Sequence, residues 1–182
     1  MNLMNMFSMA LQASSSTFMP TGATTPAWQQ FLQTPYVQDT LAQLVGPAVT
    51  VRTPFEPPVG RPELRGVTSQ QGDTITLFGR KPEDNYFTHE IGHVLDTRNR
   101  APEVSGQVAQ LAQGQRRSDY AGQNDFEYVA EAFRTAMEHV RKYPDLTERA
   151  KRVAAADKRL PGVALWADWI QRQLAPQNVA GR

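Results

Sequence analysis

The chain has no cysteine among its 182 residues. This absence excludes disulfide bonds and thiolate metal sites, and it leaves the redox environment of the protein undecided. No run of about 18 apolar residues occurs, so the sequence offers no membrane-spanning helix. The formal net charge of +1 gives no reason to expect a strongly charged partner. The basic stretch 141–159 lacks the interleaved aromatic residues of a nucleic-acid-binding segment, so no nucleic-acid partner is expected.

Charge is scarce at the front of the chain. From Met1 to Val51 the only charged side chain is Asp39, and five of the six methionines lie within the first 19 residues. We therefore predict an uncharged Met/Ser/Thr-rich arm or linker over residues 1–26, a single domain over 27–175 and a tail over 176–182. The length suits one domain with its own core.

The function of this arm has two interpretations. Residues 1–19 are either a flexible leader or an arm that docks on a protein partner, since methionine adapts well to a partner surface. No basic residue precedes the short apolar run, whereas a secretory signal peptide usually has a positive start. The sequence leaves the location open between the cytoplasm, a delivered effector and a component of a larger particle.

Histidine is also rare, and two of the three histidines fall in His89-Glu90-Ile91-Gly92-His93. Residues four apart lie on one face of a helix, so both imidazoles can approach one metal ion. Glu90 then lies about 100° around the helix, beside the metal, where a general base belongs. The opposite face carries a predicted core stripe of Phe87, Ile91, Val94 and Leu95. The alternatives are a surface helix with solvated histidines and a core helix with hydrogen-bonded ones.

A second segment downstream places Glu127 and Glu131 four residues apart on another predicted helix. A zinc hydrolase site commonly uses two histidines and a glutamate, with water in the fourth position. Spacing alone does not decide which of these two glutamates would be the third ligand. Asp96 shares the histidine face and can accept a hydrogen bond from a ligand imidazole, although a surface carboxylate is the simpler interpretation.

Together these segments read His-Glu-x-Gly-His-x-x-Asp, followed by a tyrosine seven residues before Glu-aromatic-x-Ala-Glu-Ala-Phe-Arg. This pattern resembles the anthrax lethal factor peptidase family, which includes the secreted Pro-Pro endopeptidases. The matching region covers roughly a quarter of the chain, from Tyr86 to Arg134.

The resemblance implies a zincin-like α+β fold, mostly helical, with a small mixed sheet bordering the active-site helix. It also implies one Zn²⁺ per chain and cleavage of a protein or peptide substrate. The implied zinc ligands are His89, His93 and Glu127; the implied base is Glu90; the implied oxyanion-stabilising phenol is Tyr120; and the residues implied to orient ligands are Glu131 and Asp96.

The clearest strand pattern is the alternation at Thr74, Ile75, Thr76, Leu77 and Phe78. By the resemblance, this strand borders the cleft and pairs with an extended substrate; the alternative is an ordinary sheet strand. Further strands are predicted at 49–51 and 64–69. Helices are predicted over 28–44 with a break near Pro35, from the acids at 83–84 to about 98, and over 102–113, 125–142, 146–158 and 165–174. The last of these carries Trp166 and Trp169 as core or interface residues.

The sequence thus predicts a zinc-dependent endopeptidase with Glu90 as general base. The alternative is a structural or assembly protein, for example a phage or secretion-particle component, with a zincin fold and little activity. A regulator-cleaving peptidase sharing only the motif helix would usually carry a DNA-binding module, and none is apparent. Substrate and cleavage specificity do not follow from the sequence.

Overall fold

The computed structural model describes residues 17–22, 24–46, 48–113 and 124–175, and over these ranges the protein is α+β with helix predominating. The strands are β1 (Phe18–Thr21), β2 (Val49–Arg52), β3 (Gly66–Thr68) and β4 (Thr74–Leu77). The helices are α1 (Pro26–Leu32), α2 (Ala42–Val45), α3 (Asp84–Thr97), α4 (Pro102–Ala112), α5 (Asp125–Lys142), α6 (Leu146–Asp157) and α7 (Val163–Leu174), and a π-helical segment (Tyr36–Leu41) leads into α2. Among the described helices, none combines the length and the apolarity needed to cross a membrane.

The four strands form one mixed sheet in the order β1-β2-β4-β3. Strands β1, β2 and β4 run parallel, and β3 runs antiparallel to β4. Side chains alternate between the two faces of a strand, so one face carries the apolar residues that join the core. These are Val49, Val51, Ile75 and Leu77, all of them buried. The small mixed sheet and the predominance of helix confirm the α+β class that was predicted.

The prediction that Thr74–Phe78 pairs with substrate is wrong. Strand β4 lies inside the sheet, bonded to β2 on one side and to β3 on the other. Its backbone groups are therefore already used, and strand addition requires a free edge. The edge on this side of the sheet is β3, which lies within the strand predicted at 64–69.

The predicted boundary of the domain at residue 27 is also wrong, because β1 belongs to the sheet. Phe18 is 0% exposed, and its ring meets that of Phe87 edge-on at a centroid distance of 5.3 Å. The surrounding Ser/Thr/Pro/Gly composition is typical of a linker and hides the strand. Pro20 is tolerated because β1 is an edge strand. Residues 1–16 of the predicted arm and the tail 176–182 lie outside the described residues.

Helix α3 is the central element, packing against the sheet and against α5. Its predicted core stripe is confirmed, because Phe87, Ile91, Val94 and Leu95 are all fully buried. The core also takes in Trp166 and Trp169, as predicted. A Cβ on Gly92 would lie 2.7 Å from the Cα of Ala130, so a glycine is needed where α3 and α5 meet most closely.

Candidate metal centre

Helices α3 and α5 bring three potential metal ligands together. The Nε2 atoms of His89 and His93 lie 3.1 and 3.5 Å from Oε2 of Glu127. Both histidines are only 4% exposed. The cluster is therefore held by packing between the two helices and is not a group of mobile surface side chains. The nearest ligand atoms of the three residues all lie within 4.8 Å of one another.

The donor set fits a divalent cation of the zinc type. Ligand atoms about 2.0–2.2 Å from a tetrahedral zinc ion lie about 3.3–3.6 Å apart. The two nitrogen–oxygen separations fall close to this range, and all three ligand atoms lie within 4.8 Å of one another. Two imidazoles and one carboxylate are also a standard protein ligand set for zinc.

Glu127 reaches the cluster because α5 begins just before it. The side chain of Asn124 caps the helix by accepting a hydrogen bond of 2.9 Å from the backbone N–H of Glu127. Residues in the first turn lie at the positive end of the helix dipole, which favours a carboxylate there. Spacing left the choice between Glu127 and Glu131 open, and the structure places Glu127 at the Nε2 atoms of both histidines.

Glu131 lies on the other side of the His89 ring. Its Oε2 is 3.3 Å from Nδ1 of His89, and Arg134 holds both carboxylate oxygens through contacts of 2.6 and 2.9 Å. Such a contact orients an imidazole and fixes which nitrogen faces the metal. Burial by itself raises the pKa of Glu131. The hydrogen bonds from His89 and Arg134 outweigh this effect and lower the pKa to about 2.

The electrostatics of the centre favour a positive charge among the carboxylates. Hydrogen bonds with His89 and then with His93 lower the pKa of Glu127 to about 2. Burial by itself lowers the pKa of His89, but the hydrogen bonds with Glu127 and Glu131 outweigh it and raise this pKa to about 9. The carboxylates of Glu127 and Glu131, which stabilise the extra proton on His89, would also attract a metal cation that replaces this proton.

Glu90 does not join the ligand cluster but lies beside it, against β3. Its Oε2 accepts a hydrogen bond of 2.7 Å from the hydroxyl of Thr68, which is also 3.1 Å from the Glu90 carbonyl oxygen. A Cβ on Gly66 would collide with Oε1 of Glu90, so the missing side chain leaves room for this carboxylate. Burial raises the pKa of Glu90, as suits a proton acceptor working near neutral pH.

A cleft of about 290 Å³ opens onto these groups. The edge strand β3, the segment before it from Arg61 to Leu64, and the start of α5 line the cleft. The polar end of the cleft holds Thr68, Glu90, His93 and Glu127. The volume is at the small end of ligand pockets, enough for one side chain and its peptide group rather than a large cofactor.

Phe126, at the start of α5, forms part of the cleft and covers His93. Its ring stacks on the imidazole with a centroid distance of 4.2 Å and an angle of 17° between the planes. The Nδ1 atom of His93 is buried and has no hydrogen-bond partner among the described residues. The two histidines of the cluster are therefore held in different ways.

For two predicted site residues, Asp96 and Tyr120, the role implied by the resemblance stays a prediction. In the described part of the chain neither ligand imidazole has a hydrogen bond to Asp96, since Nδ1 of His89 contacts Glu131 and Nδ1 of His93 has no partner there. Asp96 lies in the last turn of α3, which ends at Thr97. Tyr120 lies outside the described residues.

Sequence reasoning missed Gly66, Thr68 and Phe126. Gly66 and Thr68 lie more than 20 residues before Glu90, and nothing in their local pattern marks them. Phe126 directly precedes the candidate ligand Glu127, but this adjacency does not reveal that its ring covers His93. Comparison of the chain with protein-family models, with curated proteins and with solved structures finds no match.

Proposed function

We propose that this protein is a zinc-dependent endopeptidase. One observation carries the proposal: two imidazoles and a carboxylate converge on one point, and Glu90, a buried carboxylate with a raised pKa, borders the same cleft. A metal-ligand set beside a proton acceptor is what metal-assisted hydrolysis requires. The resemblance to the lethal factor family adds the expectation that the bond is a peptide bond.

His89, His93 and Glu127 would hold the metal. Zn²⁺ bound there would supply Lewis acidity and bring the pKa of water down towards about 7. Glu131 and Arg134 fix the His89 ring from behind, so its Nε2 stays directed at the centre.

Glu90 would act as the general base. Its Oε2 accepts the Thr68 hydroxyl, so Oε1 is the oxygen free to take a proton from the attacking water. The protonated carboxyl then passes this proton to the nitrogen of the leaving amine. The resemblance assigns stabilisation of the oxyanion to Tyr120.

We place the substrate along β3. Backbone bonds join Phe78 to Arg65 and Ser69 to Thr74, so alternate residues of this antiparallel pair face β4. The peptide groups of Gly66 and Thr68 therefore point away from β4. Both residues line the cleft, and an extended peptide could pair with them there.

The test is cleavage of a diverse peptide library, with the metal content measured on the same sample. We expect one zinc per chain, cleavage that stops with a chelator, and recovery on adding Zn²⁺. His93→Ala should lose both the metal and the cleavage, because one of three protein ligands is removed. His139→Ala is the matched control, since this third histidine lies outside the cluster. A zinc-loaded wild type that cuts no peptide would count against the proposal.

Gly66→Ala is expected to lower the rate of hydrolysis by about 10²-fold without loss of zinc, since a small misplacement of a reacting group can cost this much. The new methyl group would collide with the carboxylate of Glu90, which must move. A double variant separates this cause from general damage to β3. Gly66→Ala should lower Tm in the wild type but not in Glu90→Ala, where the colliding group is absent; equal loss of Tm in both backgrounds would argue against the collision.

A further inference from the structure

The two histidines of the metal centre differ in what holds their rings. His89 has a carboxylate on its Nδ1 atom, and Arg134 fixes that carboxylate in turn. His93 has no such partner among the described residues, although its Nδ1 atom is buried. An imidazole without a hydrogen bond on its second nitrogen can turn about its χ2 angle, because that torsion is broad.

Phe126 lies flat on the His93 ring and opposes this rotation, and the His89 ring also contacts His93, edge-on at a centroid distance of 4.8 Å. The rings of Phe126 and His93 are nearly parallel at a centroid distance of 4.2 Å, so turning the imidazole would drive its edge into the phenyl face. Phe126 is itself fixed by its position in the first turn of α5, where Asn124 caps the helix. The same turn carries Glu127, so one short segment supplies a ligand and the support of another ligand.

We propose that Phe126 is a positioning residue that keeps Nε2 of His93 directed at the metal by stacking, in place of the usual hydrogen bond. The inference rests on the proposed metal centre but not on the reaction. In the structure, Nε2 of His93 lies 3.5 Å from Oε2 of Glu127, the longer of the two nitrogen–oxygen separations. By stacking on the His93 ring, Phe126 keeps the Nε2 atom of His93 close enough to Glu127 for both residues to bind one metal ion.

Phe126 is suited to mutagenesis because the residue is 41% exposed. Phe126→Leu keeps an apolar side chain but removes the flat ring, and Phe126→Met does the same with an unbranched chain. Phe126→Tyr keeps the ring. None of these variants touches the Asn124 cap. The control is Phe55→Leu, a phenylalanine of similar exposure, 51%, on a loop away from the cluster.

The primary readouts are the zinc Kd, measured by competition with a chelator, and the visible absorption of the Co²⁺-substituted protein, which reports coordination geometry. We expect Phe126→Leu and Phe126→Met to weaken zinc binding by about 10–100-fold, the usual effect of removing a group that orients a ligand. Their Co²⁺ spectra should change in shape. Phe126→Tyr and Phe55→Leu should match the wild type in both measurements, and Tm should be similar in all five proteins.

Wild-type zinc affinity in Phe126→Leu and Phe126→Met would overturn the inference. Equal loss of affinity in Phe126→Tyr would overturn it too, because the stacked ring would then not be the cause. Failure of the proposed peptidase function has a different signature. In that case the wild type binds zinc and cuts no peptide, while the order of the zinc affinities among the variants stays as given above.

Discussion

Glu90→Gln is expected to lower the rate of peptide hydrolysis by about 10²–10⁴-fold, the range for loss of a general base. Glutamine has nearly the same shape and can still accept the hydrogen bond from Thr68, so the packing against β3 should persist. It cannot take up a proton from water. Zinc content and Tm should therefore remain near those of the wild type.

The measurement is kcat/KM on a cleaved peptide, together with the metal content. Glu131→Gln is the informative comparison, because that carboxylate contacts the Nδ1 atom of His89. We expect it to weaken zinc binding by about 10–100-fold and to recover turnover when zinc is in excess. If Glu90→Gln retains full turnover, Glu90 is not the base.

Gly92→Ala is expected to destabilise the protein by about 1–3 kcal/mol through overpacking where α3 crosses α5. The new methyl group would lie 2.7 Å from the Cα of Ala130, which is backbone and cannot rotate away. Because the crossing joins the helix of His89 and His93 to the helix of Glu127, separation of the helices should also weaken zinc binding.

A matched variant isolates this steric cost. Gly106→Ala makes the same change in the middle of α4, and a Cβ there would meet nothing within 4 Å. Alanine should raise stability at that site by about 0.5–1 kcal/mol, because glycine is a poor helix former. The difference in the free energy of unfolding between the two variants therefore reports the contact at Ala130. If Gly92→Ala behaves like Gly106→Ala, the close approach of the helices is not as described.

The helical part of the fold could be predicted because each helix carries its own signals. The apolar stripe of α3 and the cap of α5 at Asn124 are local features, read from residues three or four positions apart. The sheet was harder, since β1 has one core residue, Phe18, within a stretch that resembles a linker. Strand order depends on pairings between distant segments, which local alternation does not encode.

The sequence by itself determined the chemistry that is available: two histidines on one helix face, two glutamates on another, and no cysteine to compete for the metal. The tertiary structure decided how these groups are used. The crossing at Gly92 directs Glu127 to the Nε2 atoms and Glu131 to the Nδ1 atom of His89. Packing of the sheet against α3 places β3 next to this helix. The hydroxyl of Thr68 on β3 can therefore reach the carboxylate of Glu90 on α3. Spacing along a chain limits which residues share a face, but only packing between elements decides which faces meet.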